Sequence, residues 1–436
     1  MKRLFQLFVT SAMLAPFISF AADDRPPINT VEELQQMRLR IEALEKKAAE
    51  AKPSVPAATM GRAGSSYMNL SFDVLMNAGW ASMPDVDTLQ LGGHDPSQRG
   101  FSLRNAELAL DGAVDPYFKG FANIVLMTDA DEETGIELEE AYVLSSSLPG
   151  GMQLKAGRFF AEFGRQNNQH PHSWAFVDQP LILNRMFGVD GLRQNGARLS
   201  WLAPTEHYTE FTLGLFNGQG SDAYSFRYTG ETGVDGVARI YGRATTARNL
   251  GSAGDFLFVP RIASSFDLTD SQTIVLGASA ALGPNDTGED ARTLVYGLDA
   301  FWKWKPANAE GGWPFVTWQT EVMGRNFEAG ADTTAGLPSE TLHDWGAYSQ
   351  VQWGFVRRWA MGLRGEYVTG DKSVSEAATT ERSTKERVSP DITWYPTEFS
   401  KLRLQYNHEW RKDTGDEDAV WLQFEFMLGA HAAHKF

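Results

Sequence analysis

The chain has 436 residues, with 41 Gly, 27 Phe, 13 Trp, 12 Tyr, no Cys and a formal charge of −16. The missing cysteine excludes a disulfide scaffold, a Cys-ligated metal centre and a thiol nucleophile, and the acidic balance argues against nucleic acid as a partner. Mean hydropathy is −0.32 and no apolar run of about 18 residues follows the first 20 positions, which excludes membrane-crossing helices but fits a transmembrane β-barrel.

Residues 1–21 read as a signal peptide. Lys2 and Arg3 precede an apolar run from Leu4 to Phe20, and Ser19-Phe20-Ala21 is a small-x-small cleavage site. Residues 22–52 read as a periplasmic coiled coil. Thr30 and Glu33 form a capping box, and Leu34, Met37, Ile41, Leu44, Ala48 and Ala51 keep the alternating spacing of three and four that makes a heptad seam. Residues 53–66, rich in Pro, Gly, Ala and Ser, read as a linker.

From residue 67 to 436 the apolar period changes to two, and the expected fold is all-β: a 16-stranded antiparallel transmembrane barrel. The last strand shows the rule. Val420, Leu422, Phe424, Phe426 and Leu428 alternate with Trp421, Gln423, Glu425 and Met427. Strands are predicted at 68–80, 101–114, 117–128, 135–146, 152–160, 192–203, 207–217, 256–267, 272–283, 292–305, 313–326, 344–355, 357–369, 386–396, 399–411 and 418–429. Long connections (81–100, 161–191, 218–255, 327–343, 370–385) alternate with short, turn-rich ones, as in an outer-membrane barrel entered from the periplasm. Tryptophans gather at strand ends: Trp201, Trp302, Trp304, Trp353, Trp394, Trp313 and Trp359 at one rim, Trp345 and Trp410 at the other. Strand 2 breaks the alternation, because Leu103 and Leu108 share a face only across a bulge.

Two motifs carry a family resemblance. Phe101-Ser102-Leu103-Arg104-Asn105-Ala106-Glu107-Leu108 and the run from Leu154 to Gly164 (Leu-Lys-Ala-Gly-Arg-Phe-Phe-Ala-Glu-Phe-Gly) are similar to stretches of the phosphate-selective porins O and P. The chain as a whole resembles the trimeric porins of Gram-negative bacteria, and its heptad segment is similar to that of dicarboxylate porins. No dense arginine ladder accompanies the motifs. The resemblance implies an outer-membrane location with the N-terminal segment in the periplasm, a homotrimer, and contacts with outer-membrane lipid and lipopolysaccharide.

The function expected is passive diffusion of small hydrophilic solutes or ions, with a mild preference for anions. No Gly-x-Ser-x-Gly, His-Glu-x-x-His or phosphate-binding glycine loop is present, so neither an enzyme nor a cofactor is expected. The alternatives are a structural or tethering barrel, and a passive route for a metal such as zinc, raised by His170 and His172. The 31-residue connection 161–191 is far longer than a hairpin needs and is rich in Phe, Leu and Ile, so it is expected to fold into the lumen and narrow it. The pore-lining candidates are Arg165, Asn167, His170, His172, Asp178 and Arg185 on this connection, with Arg198, Arg261, Arg364 and Arg403 on the wall. No resident metal site is expected.

Overall fold

The computed structural model describes residues 58–63 and 66–429, apart from 85, 87–89, 114, 130, 146–147 and 413–414. The expected signal peptide, coiled coil and terminal Phe436 lie outside the described residues. Sixteen antiparallel strands close on themselves: β1 Ser66–Ala81, β2 Gly100–Ala113, β3 Phe118–Thr128, β4 Thr134–Ser145, β5 Met152–Phe160, β6 Arg193–Leu202, β7 Tyr208–Phe216, β8 Leu257–Thr269, β9 Gln272–Pro284, β10 Arg292–Trp304, β11 Phe315–Ala329, β12 Glu340–Val356, β13 Trp359–Gly370, β14 Lys385–Thr397, β15 Ser400–Arg411 and β16 Glu417–Gly429. Each strand pairs with its neighbours in sequence, and β16 closes the ring on β1 from Ser71↔Gly429 to Ala81↔Ala419. Every predicted strand is present, with ends displaced by four residues at most. Part of the expected linker 53–66 is ordered instead: Ala58–Ala63 forms a short strand paired with β1. Among the described residues, the pairing of β1 with β16 begins only at Ser71, which leaves an edge for this segment to satisfy.

Alternation decides which side is which. On β16 Leu422 is 42% exposed and its neighbour Gln423 3%. The pattern repeats on β15, where Leu404 and Tyr406 are exposed while Lys401, Arg403 and Gln405 are buried. The outside is therefore apolar and the inside ionic, the reverse of a water-soluble barrel. Among the described residues no helix is long and apolar enough to cross a membrane. Trp201, Trp353, Trp359 and Trp394 are exposed at the short-turn rim, Trp359 stacking on Trp394, and Trp345 is exposed at the opposite rim. Trp313 departs from the expected belt: it is buried against Phe315 and Tyr395, because it precedes β11 and turns inward.

Two bulges adjust the inner face. On β2 the register runs Leu75↔Asn105 then Met76↔Leu103, so Arg104 is the extra residue that the broken alternation requires. On β4 the register runs Ile124↔Leu138 then Asn123↔Glu140, so Glu139 is extra. This second bulge sends two consecutive carboxylates, Glu139 and Glu140, toward the lumen while Ile136, Leu138 and Val143 stay outside.

Candidate functional site

The connection between β5 and β6 runs through the barrel interior. Asn167 ties its two ends together: the side-chain amide donates to the Ala161 and Leu192 carbonyls (2.9 and 3.0 Å) and accepts from the Leu192 N–H (2.8 Å). Gly164 turns the chain inward with φ +60°. A Cβ there would collide with the Glu321 carboxylate on β11, so only glycine fits both the backbone and the space. Beside it the Arg165 and Gln166 N–H groups donate to Glu321 Oε1 (3.1 and 2.7 Å).

The segment then crosses the lumen. The Val177 N–H donates to Gln405 on β15 (2.7 Å). Asp178 is held by Arg364 and Arg387 and accepts from Gln405 (2.8 Å) and Asn407 (2.6 Å). A seven-residue helix, α1 (Leu181–Phe187), follows. Its first N–H, Leu181, donates to Glu366 on β13 (2.9 Å), which supplies the partner that Pro180 at the cap cannot. Leu181, Ile182, Leu183, Met186 and Phe187 pack on Phe163, Val295, Met323 and Val368 and on Phe226 of the 217–256 connection. This part of the lumen is an apolar core, with Phe163 edge-on to Phe187 at 4.9 Å.

On the other side the contacts are ionic. His170 lies with Nδ1 2.7 Å from Glu139 and Nε2 2.9 Å from Glu140. His172 stacks on His170 at 5.6 Å, with Nδ1 3.2 Å from Glu107 and 3.6 Å from Asp73. Burial works against a charge on either ring, but the carboxylates outweigh it and raise both imidazoles above their ordinary value, His170 the more strongly. Lys401 on β15 donates to the His172 carbonyl (2.7 Å) and fixes the turn Pro171–Ser173.

The sequence-predicted residues therefore divide. Asn167, Asp178, Arg364 and Arg403 are buried and engaged: Arg403 donates to the Trp174 carbonyl (3.1 Å) and to Thr393 (3.0 Å). Arg185 is likewise buried, donating to the Ser383 carbonyl (3.0 Å) with Asp344 at 3.6 Å. His170 and His172 belong to the carboxylate cluster. Arg165 and Arg261 line a cavity of about 580 Å³ together with Glu162, Asn168, Tyr208 and Glu210. This cavity lies beside strand segments that lead to the short-turn rim. Arg261 is paired to Asp299 through both nitrogens (2.5 and 2.9 Å), and Arg198 to Glu162 (2.8 Å). The Arg165 guanidinium lies over the Phe301 ring (3.7 Å) and forms no ion pair among the described residues. Glu140 was not predicted to face inward; the early return of Ala141 and Val143 to the outer face is the only trace of the bulge in the sequence.

Comparison with known proteins places this geometry. No protein-family model matches the chain. An Aquifex aeolicus (strain VF5) protein, described as "Uncharacterized protein", is 32% identical over 373 residues, covering 79% of this chain and 73% of its own length. The chain belongs to the family of this protein. Among solved structures, the barrel is similar to the outer membrane channel DcaP of Acinetobacter baumannii, with a TM-score of 0.57, 12% identity, and 86% of this chain and 100% of that one covered. It is also similar to OprB of Pseudomonas putida, with a TM-score of 0.51, 10% identity, and 84% and 94% covered. At these identities the shared property is the fold, a porin-type barrel.

Proposed function

We propose that the chain is an outer-membrane porin through which small hydrophilic solutes diffuse passively. The observation that carries this reading is the inverted barrel, with exposed apolar side chains around the outside and charged side chains inside. Such a surface is stable only in lipid, and a ring of this size encloses more space than its wall side chains fill. The reading needs no catalytic step, because selectivity comes from pore width and lining charge. The resemblance to porins O and P, and the homotrimer it implies, belong to the same proposal. The small residues Gly112, Ala113, Gly120, Ala122 and Ala141 support a trimer contact, since they border a shallow apolar groove on the outer wall near the short-turn rim.

The inserted connection is the constriction in this reading. Deleting residues 166–184 is expected to raise single-channel conductance in planar bilayers several-fold; unchanged conductance with the barrel folded would remove the connection from the permeation path. A mild anion preference rests on Arg165, because Arg261, the other arginine at the cavity, is already neutralised by Asp299. Arg165→Gln is expected to move the reversal potential in a salt gradient toward cation selectivity. A tethering barrel, the competing reading, predicts no conductance at all in the same measurement.

A further inference from the structure

Asp73 and Glu107 sit directly opposite each other on β1 and β2, with both side chains turned inward, and His172 is lowered onto them by the inserted connection. The three donors differ in how well they are served. Glu107 accepts from Asn105 (2.7 Å) and Asn123 (3.2 Å) in addition to its contact with His172. Asp73 is 5% exposed, yet neither of its oxygens has a hydrogen-bond partner among the described residues. A buried carboxylate left in that state is costly. A proton on His172 Nδ1 does not repair it: one N–H serves Glu107 at 3.2 Å and leaves Asp73 at 3.6 Å.

A dication would serve all three at once. Ligand atoms bonded at about 2.1 Å to one metal lie roughly 3.0–3.4 Å from each other in octahedral or tetrahedral geometry. The separations of His172 Nδ1 from Glu107 Oε2 (3.2 Å) and Asp73 Oδ2 (3.6 Å) fall on or close to those edges. The supports are those that metal ligands require. Lys401 holds the His172 carbonyl, His170 stacks on the ring, and two amides orient Glu107. One imidazole among the donors selects a borderline transition metal over Mg²⁺ or Ca²⁺, which prefer oxygen alone. Three protein ligands also leave a coordination position for water or a passing solute.

We propose that Asp73, Glu107 and His172 bind one divalent transition-metal ion of the zinc class inside the barrel. The site stands on this geometry whether or not the barrel conducts. It fastens the inserted connection to β1 and β2, on the side of the lumen opposite the apolar core.

The test uses the full chain in detergent, stripped with EDTA and dialysed against zinc chloride. One zinc per chain is expected by elemental mass spectrometry, and crystals measured at the zinc edge should show the anomalous peak between Asp73, Glu107 and His172. Asp73→Asn and His172→Gln should each weaken binding by at least tenfold, with heat-modifiable electrophoretic mobility confirming a folded barrel. The wild-type anomalous map depends on no variant. A peak at the separate group His94, Glu137 and Asp190, a peak at Asp129, Asp131, Glu132 and Glu133, or no retained zinc would each overturn the assignment.

Discussion

The two sides of the lumen are built on the same strand ladder but are held by opposite chemistry. Toward β8–β13 the inserted connection presents α1, and the wall answers with Leu257, Val259, Val295, Met323 and Val368. Toward β1–β4 it presents His170 and His172, and the wall answers with Asp73, Glu107, Glu139 and Glu140. Asp178, gripped by two arginines, lies between them in sequence. The apolar side gains from area removed from water and is indifferent to small changes of angle. The ionic side gains only when each charge meets its partner, and a lost partner costs more than the pair contributed. One segment thus carries a tolerant anchor and an exacting one.

The largest expected effect breaks the exacting side. Asp178→Asn leaves Arg364 and Arg387 sharing Glu366 as their ion-pair partner and should cost about 3–5 kcal/mol, the usual loss when one member of a buried ionic group is removed. Hydrogen exchange should then show amides 176–187 losing protection while the strands keep theirs; loss spread evenly over the barrel would mean that the connection is not a separate unit. On the tolerant side, Leu183→Ala should cost about 2–5 kcal/mol in urea unfolding through the cavity it leaves. Leu183→Met, which conserves volume, should cost less than about 1.5 kcal/mol, and a larger loss would show that this core is as exacting as the ionic one.

A smaller effect is expected with pH. Asp95, in the connection between β1 and β2, accepts from the Gly92 and Gln179 N–H groups (2.7 and 2.9 Å) and so latches that connection to the inserted one. Burial first, and the neighbouring Asp178 charge second, raise its carboxyl to about 7, against the two N–H donors and Arg387, which act the other way. A carboxyl raised on folding gives stability that is complete below its ordinary value near 3.8 and is lost as pH climbs through 7. The urea midpoint should therefore fall between about pH 4 and 7, and Asp95→Asn, which keeps an acceptor oxygen, should flatten that fall.

The wall was legible in the sequence because its rule is local. Period-two alternation located all sixteen strands, and the clash between Leu103 and Leu108 located the β2 bulge. The interior was less legible because partners there are far apart in sequence. Asp178 and Arg364 are 186 residues apart, and nothing in either neighbourhood announces the other. The connection's apolar content announced that it needed cover, but not which strands would provide it. Phe216, Val259 and Met323 face inward, where a reading of alternation expects polar residues, because the apolar cluster built around α1 rather than water meets them. Polar side chains on a long connection are read most simply as facing a solute. In a lumen this crowded, Asn167, Asp178 and Arg185 find wall or backbone groups instead.

The bulge at Glu139 has a consequence for how such a wall can change. A strand between lipid and lumen is a two-stroke pattern, and swapping residues one at a time can alter the lumen only at every second position. An extra residue shifts the phase of the pattern for the rest of the strand. Here the shift adds Glu140 to the interior without giving up an outer position, since Ile136 and Leu138 before it and Val143 after it all stay exposed on the outer face. Insertion and deletion, which disrupt most folds, therefore give this wall a second mode of variation: a change in the number of lumen ligands at constant outer surface.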